Sequence, residues 1–280
     1  MRLSKETVRC DYRARESLAD SMKTGVARAR GRPRLYIVDR LALICAACLG
    51  LLVPLSASGA SHPRVALIFE HAGASLDELV PIYAMHEPFG LGIFPNMRYS
   101  AEIARTAASH GVTPILHLPL EPIHPADLGP VSGTVWVRMT DAQIARAVEQ
   151  DLESVSGVVG VSNHAGSRAT ADRRVMAAVL RAVKAHGLWF NENPETRESV
   201  VRQVARRLDV PIVVTTTYLD IPPDHIAQKV RALIATAKQR GAAVAAAHIS
   251  TGAPEVVRSM LPEFRQAGIV FAPITEFLAR

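Results

Sequence analysis

Seven times between residue 63 and the C-terminal end, a short apolar run gives way to a longer stretch with helical periodicity. The apolar runs cover 65–69, 90–94, 113–117, 158–161, 188–191, 211–215 and 242–248, with a further short one at 269–272. They do not alternate polar with apolar residues, so each reads as a strand covered on both faces, as strands of a parallel sheet are. The stretches 75–85, 100–110, 141–154, 171–186, 199–208, 224–240 and 254–266 carry the 3.6-residue spacing of helices packed on one side. Strands and helices in strict alternation leave two architectures, a doubly wound sheet or a parallel β/α barrel.

The barrel is the better choice, because no glycine-rich phosphate turn follows the first strand as a dinucleotide-binding sheet would want. We expect an irregular, distorted TIM-like barrel of about seven strands. Ser75, Ser100, Thr140 and Asp224 stand where N-caps belong, and Gly111, Gly187, Gly241 and Gly268 stand where helices stop. The one long connection, 119–139, is rich in Pro and Gly and is expected to fold over the site.

Charge divides the chain in two. Residues 1–60 hold 11 Lys/Arg against 5 Asp/Glu, whereas 61–280 hold 21 of each. The net charge of +6 therefore belongs to the leader, and the globular part has no basic excess to recommend it to nucleic acid. In the leader, arginines at 28, 30, 32, 34 and 40 precede an apolar run at 41–55, and small residues follow at 56–60. A basic segment, an apolar core and a small-residue exit describe an export signal. If it is kept, it is an N-terminal anchor, with the domain of 61–280 periplasmic or on the outer face of the cytoplasmic membrane. On this reading the leader is the chain's only contact with a membrane. Cys10, Cys45 and Cys48 all lie in the leader, which removes disulfides, thiolate metal sites and a cysteine nucleophile from the domain.

In parallel β/α folds the reacting groups gather at the C-terminal ends of the strands. Those ends carry Glu70-His71, Pro95-Asn96, His117, Asn163-His164, Asn191-Glu192, Thr215–Thr217 with Asp220, and His248. Imidazoles and carboxylates from separate βα units, brought to one mouth, suit a divalent metal and its bound water. Taken singly, each histidine is better explained by a hydrogen-bonded loop end; taken together, the two explanations weigh equally.

At these same residues the sequence resembles a family, the divergent polysaccharide deacetylases. His117-Leu118-Pro119-Leu120-Glu121-Pro122 looks like the family's H-L-P-M-E-P, and Asn163-His164-Ala165-Gly166-Ser167-Arg168 looks like N-H-M-G-S-R. Tyr218-Leu219-Asp220 is similar to F-L-D and Ala247-His248 to G-H. The resemblance implies metal-assisted hydrolysis of N-acetyl groups on an amino-sugar glycan. It makes His71, His117 and His164 the metal ligands, with zinc as the cation, Glu70 the base and His248 the acid. Asn163 and the backbone at Gly166 would serve the oxyanion, with Asp220 and Glu192 beside the substrate.

The sequence also departs from the pattern. Two acids normally follow the first strand, where Glu70 and His71 stand here. The family's D-S-R-T-S becomes residues 191–196 without its aspartate, and R-D-V becomes Thr215-Thr216-Thr217. Three functions follow: an active deacetylase, a catalytically degenerate descendant that binds glycan or a cell-envelope partner, and a hydrolase of some other amide or ester. Trp136, in the long connection, is the better glycan-stacking candidate; Trp189 sits in a strand pattern and belongs to the core.

Overall fold

The structure, a computed structural model, describes residues 62–279. The leader lies outside the described residues. Nine strands form one sheet: β1 (Arg64–Ala72), β2 (Gly90–Ile93), β3 (Thr113–Leu120), β4 (Gly160–Ala165), β5 (Trp189–Glu192), β6 (Ile212–Val214), β7 (Thr217–Tyr218), β8 (Ala242–His248) and β9 (Val270–Phe271). The helices are α1 (Val80–Tyr83), α2 (Ser100–Ala107), α3 (Asp141–Ser154), α4 (Arg173–Ala185), α5 (Val201–Leu208), α6 (Ile226–Arg240) and α7 (Ala253–Gln266). Among the described residues, no helix is long and apolar enough to cross a membrane.

The paired strands are parallel and run in the order β6-β5-β4-β3-β2-β1-β8-β7. The two ends of that order are joined by the chain itself. Between β6 and β7, Thr215 N–H donates to the Glu192 carbonyl on β5, and Thr216 N–H donates to the Val244 carbonyl on β8. One segment thus leaves β5 and takes up β8, closing a ring of seven staves in the irregular barrel the alternation predicts. β9 supplies a short outer pairing, Arg64 and Val65 with Val270 and Phe271, below the point where β2 joins β1 at Ile68.

Strand alternation sorts the core into two layers. Val65, Leu67 and Phe69 pack among helix residues such as Ile103, Val148 and Val179. Ala66 and Ile68 point the other way, joining Ile115, Trp189, Val213, Val244 and Ala246 inside the barrel, closed below by Ile274. Gly160 gives the indole its space, since a Cβ there would lie 2.3 Å from the Trp189 ring. Two residues further along these strands come Glu70, His117, Asn191, Thr215 and His248. The polar layer of the mouth is therefore the apolar interior continued by one step of the pleat.

Local chemistry corrects several boundaries. The helix expected over 75–85 is a 3-10 turn, Asp77–Leu79, followed by the single turn of α1. Pro81 has no N–H to give a longer helix and fits only its first turn. Ser75 Oγ accepts from Asp77 N–H instead of capping a helix. Ser100 is the first helical residue and not the cap; its hydroxyl donates to the Phe94 carbonyl and accepts from Met97 N–H. Thr140 caps α3 in a full capping box with Gln143, and Asp172, unforeseen, caps α4. Asp224 lies inside a 3-10 turn before α6. The four glycine stops stand as expected, all with positive φ.

Candidate active site

The mouth is lined by residues from five staves and the long connection, among them Glu70, His71, His117, Asp127, His164, Glu195, Tyr218 and His248. Adjacent residues on a regular strand face opposite ways, so Glu70 and His71 would ordinarily be divided between the mouth and the helix layer. A bulge prevents this. Glu70 pairs with Gly92 but Ala72 with Ile93, and the extra residue, His71, takes a left-handed φ of 77°. Both side chains thereby reach the mouth.

His71, His117 and His164 each offer one ring nitrogen, and the three lie within 4.8 Å of one another. His71 Nε2 is 3.2 Å from His164 Nδ1. Two ligands about 2.0–2.1 Å from a tetrahedral ion are themselves about 3.3 Å apart. The outward nitrogens are held by oxygens: His117 Nδ1 by Ser162 Oγ at 2.8 Å, and His164 Nε2–H by the Leu128 carbonyl at 3.0 Å. His117 Nε2 is buried with no hydrogen-bond partner among the described residues. Burial, reinforced by the neighbouring rings, holds His71 and His117 well below the ordinary imidazole range, in the neutral form that ligates. The residues present fit a divalent cation held by three imidazoles.

Glu70 is 1% exposed. Its Oε1 accepts from Asn193 Nδ2 at 2.7 Å, and its Oε2 lies 3.4 Å from the Tyr218 hydroxyl. Burial pushes the carboxyl up to about 7, against the opposing pull of the His248 ring and the Asn193 hydrogen bond. His248 stacks against Tyr218 and turns Nδ1 to Asp220 Oδ2 at 3.0 Å. Asp220 also accepts from His248 N–H and the Thr251 hydroxyl. Although burial raises the Asp220 carboxyl, these donors and the His248 charge outweigh it and hold the group below its usual value. Asp220 thus supports His248 from behind and is absent from the cavity wall.

Other nominated residues fall differently. Both Asn163 amide protons are committed, to the carbonyls of Ala165 and Asn193, and its Oδ1 accepts from Asn193 N–H. It has no proton left for an oxyanion and acts as a brace between β4 and the turn after β5. Glu192 is buried outside the mouth, bonded to Ser199 and 3.5 Å from Arg202. Gly166 does line the cavity, with φ of 96° and a position where a Cβ would lie 2.7 Å from Leu120 Cβ. Trp136 is not on the cavity wall; its ring faces the Arg138 guanidinium. Asn193, Ser162, Tyr218 and Glu195 were given no site role from the sequence, although Tyr218 stands in the segment similar to F-L-D and Asn193 and Glu195 lie within 191–196.

The long connection does reach the mouth, through Pro122, Asp127 and Leu128. The two best motifs brace each other there. Glu121 O accepts from Arg168 and Ala169 N–H, Ser167 Oγ accepts from Ile123 N–H, and Glu121 Oε2 accepts from Val137 N–H. These contacts help fix His117 and His164 on paired strands, while Pro122, Gly166 and Ser167 also line the cavity.

A family model described as divergent polysaccharide deacetylase matches residues 67–278, from inside β1 to beyond β9. The chain belongs to that family. Two bacterial relatives are similar to this chain, and both are described as uncharacterized proteins. One, from Haemophilus influenzae, is 26% identical over 190 residues, 67% of each chain. The other, YibQ of Escherichia coli, is 23% identical over 229 residues, 81% of this chain and 70% of its own. The solved structure of uncharacterized ATU2773 from Agrobacterium tumefaciens shares the fold, with a TM-score of 0.70 at 20% identity, covering 78% of this chain and 90% of that one.

Proposed function

We propose that the barrel mouth hydrolyses N-acetyl groups on an amino-sugar glycan, using a divalent cation held by His71, His117 and His164. The observation that carries this is the meeting of three imidazole nitrogens within 4.8 Å, one of them buried without a partner, beside a buried carboxyl. A cation bound there would acidify a water and polarise the acetyl carbonyl. Glu70 takes the proton from the attacking water; with its carboxyl near 7 it is part-ionised at neutral pH and able to return the proton. His248, fixed through Nδ1 by Asp220, delivers a proton from Nε2 to the departing amine. With Asn163 committed elsewhere, the main chain at Gly166 is the remaining nominee for the oxyanion. Water adds across the amide, so acetate and a free amino sugar are the products.

The test is release of acetate from chitooligosaccharides and peptidoglycan fragments. We expect turnover that Glu70→Gln lowers by 100-fold or more, within the usual range for loss of a general base. A Glu70→Gln variant as active as the parent would remove Glu70 from the chemistry. A second reading, a glycan-binding descendant without turnover, draws support from the committed Asn163 amide. Glycan binding with no acetate release from the metal-loaded chain would favour it. The order of charges and apolar residues in the leader supports export, and fractionation of cells carrying a C-terminally tagged chain checks that.

A further inference from the structure

Resting on the hydrolase reading of the mouth, we propose that Tyr218 is a positioning residue for both groups that move protons there: its hydroxyl holds Glu70 and its ring holds His248. The resemblance accounts for the ring alone. At this place the family's F-L-D carries phenylalanine, and the chain adds one oxygen to it. That oxygen is aimed at Glu70, on the cavity that Glu70, Tyr218 and His248 all line. Tyr218 Oη lies 3.4 Å from Glu70 Oε2, long for an O–H···O bond, as contacts of catalytic groups often are before substrate arrives. Its ring lies nearly parallel to the His248 imidazole, with centroids 5.5 Å apart and 18° between the planes.

Each contact has a task. Glu70 Oε1 accepts from Asn193 Nδ2 at 2.7 Å, and His117 Nδ1 approaches the same oxygen at 3.8 Å. Oε2 is therefore the oxygen left to receive the proton of the attacking water. A hydroxyl both donates and accepts. Tyr218 O–H donates to Oε2 while Glu70 is a carboxylate, and Oη accepts from the carboxylic acid once the proton has arrived. One partner thus serves both protonation states without a change of rotamer, which an amide N–H cannot do. On the other side, Asp220 grips the His248 side chain along one edge, through Nδ1. An imidazole held by one edge can still tilt about that bond, and the Tyr218 face limits the tilt. The backbone suits the task. Thr217 and Tyr218 pair with Ala245 and Ala246, and Leu219 N–H donates to the Ala246 carbonyl. Tyr218 is thereby fixed to β8, the strand that ends in His248.

Kinetics on two substrates separate the two contacts. One is a chitooligosaccharide, an amide whose amine needs a proton to depart; the other is 4-nitrophenyl acetate, an ester whose phenolate departs without one. The zinc-loaded full chain is compared with Tyr218→Phe, which removes the hydroxyl alone, and with Tyr218→Leu and Tyr218→Met, which remove the ring as well. We expect Tyr218→Phe to lower kcat about tenfold on both substrates with KM within about twofold, since a displaced base slows both reactions. Loss of the ring should lower kcat on the amide about tenfold further than on the ester, because only the amide calls on His248. All variants should hold as much zinc per chain by elemental analysis as the parent, which a general collapse of the mouth would not allow. A Tyr218→Phe chain with the kcat of the parent, or with less zinc, would overturn the inference and leave the hydrolase reading standing. So would a folded Tyr218→Leu or Tyr218→Met whose amide-to-ester ratio equals the parent's. A parent chain that releases no acetate from the amide would overturn the hydrolase reading and this inference with it.

Discussion

Two buried carboxyls, Glu70 and Asp151, are each raised by burial to about 7, but only one of them faces the mouth. Asp151, on α3, receives Asn96 Nδ2 on Oδ1, while its Oδ2 is buried without a hydrogen-bond partner among the described residues. Gly133 in the long connection presses so close that a Cβ there would fall 2.3 Å from Oδ1. The charged form is therefore disfavoured on folding. A carboxyl at 3.8 in the unfolded chain and about 7 in the folded one contributes fully below about pH 4. Its contribution fades as pH rises through about 7. Asp151→Asn should match the parent in unfolding free energy, measured in urea, near pH 4 and exceed it at pH 8 by on the order of 4 kcal/mol. A pH-independent difference would contradict this. At Gly133, substitution by Ala meets both a positive φ and the carboxylate, and should cost on the order of 2 kcal/mol by the same assay.

Element by element, stability rests on a few local devices that can be removed singly. Thr140→Ala breaks the capping box of α3 and should lower stability by about 1 kcal/mol in chemical unfolding, while Thr140→Ser should largely restore it. The βα alternation was legible because buried parallel strands and one-sided helices leave different apolar spacings. The strand exits were legible because the fold places reacting groups there. Three things were hidden. Pro81 split a helix whose periodicity ran straight through it. The bulge at His71 is a backbone event with no composition of its own, so the sequence showed Glu70 and His71 together without showing how both reach the mouth. Asn193 and Ser162 act through distant contacts, to Glu70 across the barrel and to His117 on the next stave. Conversely, Asn163 and Glu192 stood at correct exits, but the amide of Asn163 is taken up by Ala165 and Asn193, and Glu192 is buried outside the mouth, where its Oε1 accepts from Ser199.

For the whole molecule, ring closure and the candidate metal site rest on the same set of paired strands. Zinc that binds the folded chain alone, at 100 times its dissociation constant, should stabilise it by about 2.7 kcal/mol, and excess chelator should reverse the gain in a melting experiment. His164→Ala should abolish that shift, because it removes one of three converging nitrogens. The seam at Thr215-Thr216 is a second shared point. Thr216→Pro deletes the N–H that reaches Val244 and should cost about 3 kcal/mol or more by unfolding, loosening β5 and β8 together.

The covering connection touches the candidate metal ligands through the Leu128 carbonyl, an atom that every amino acid possesses. The grip on His164 therefore depends on where the chain runs and hardly at all on what it is made of. The exposed residues 123–126 of that loop could be rewritten while the imidazole below keeps its orientation. Shortening the loop by a residue would do what replacing those exposed side chains does not: it would carry that oxygen out of reach.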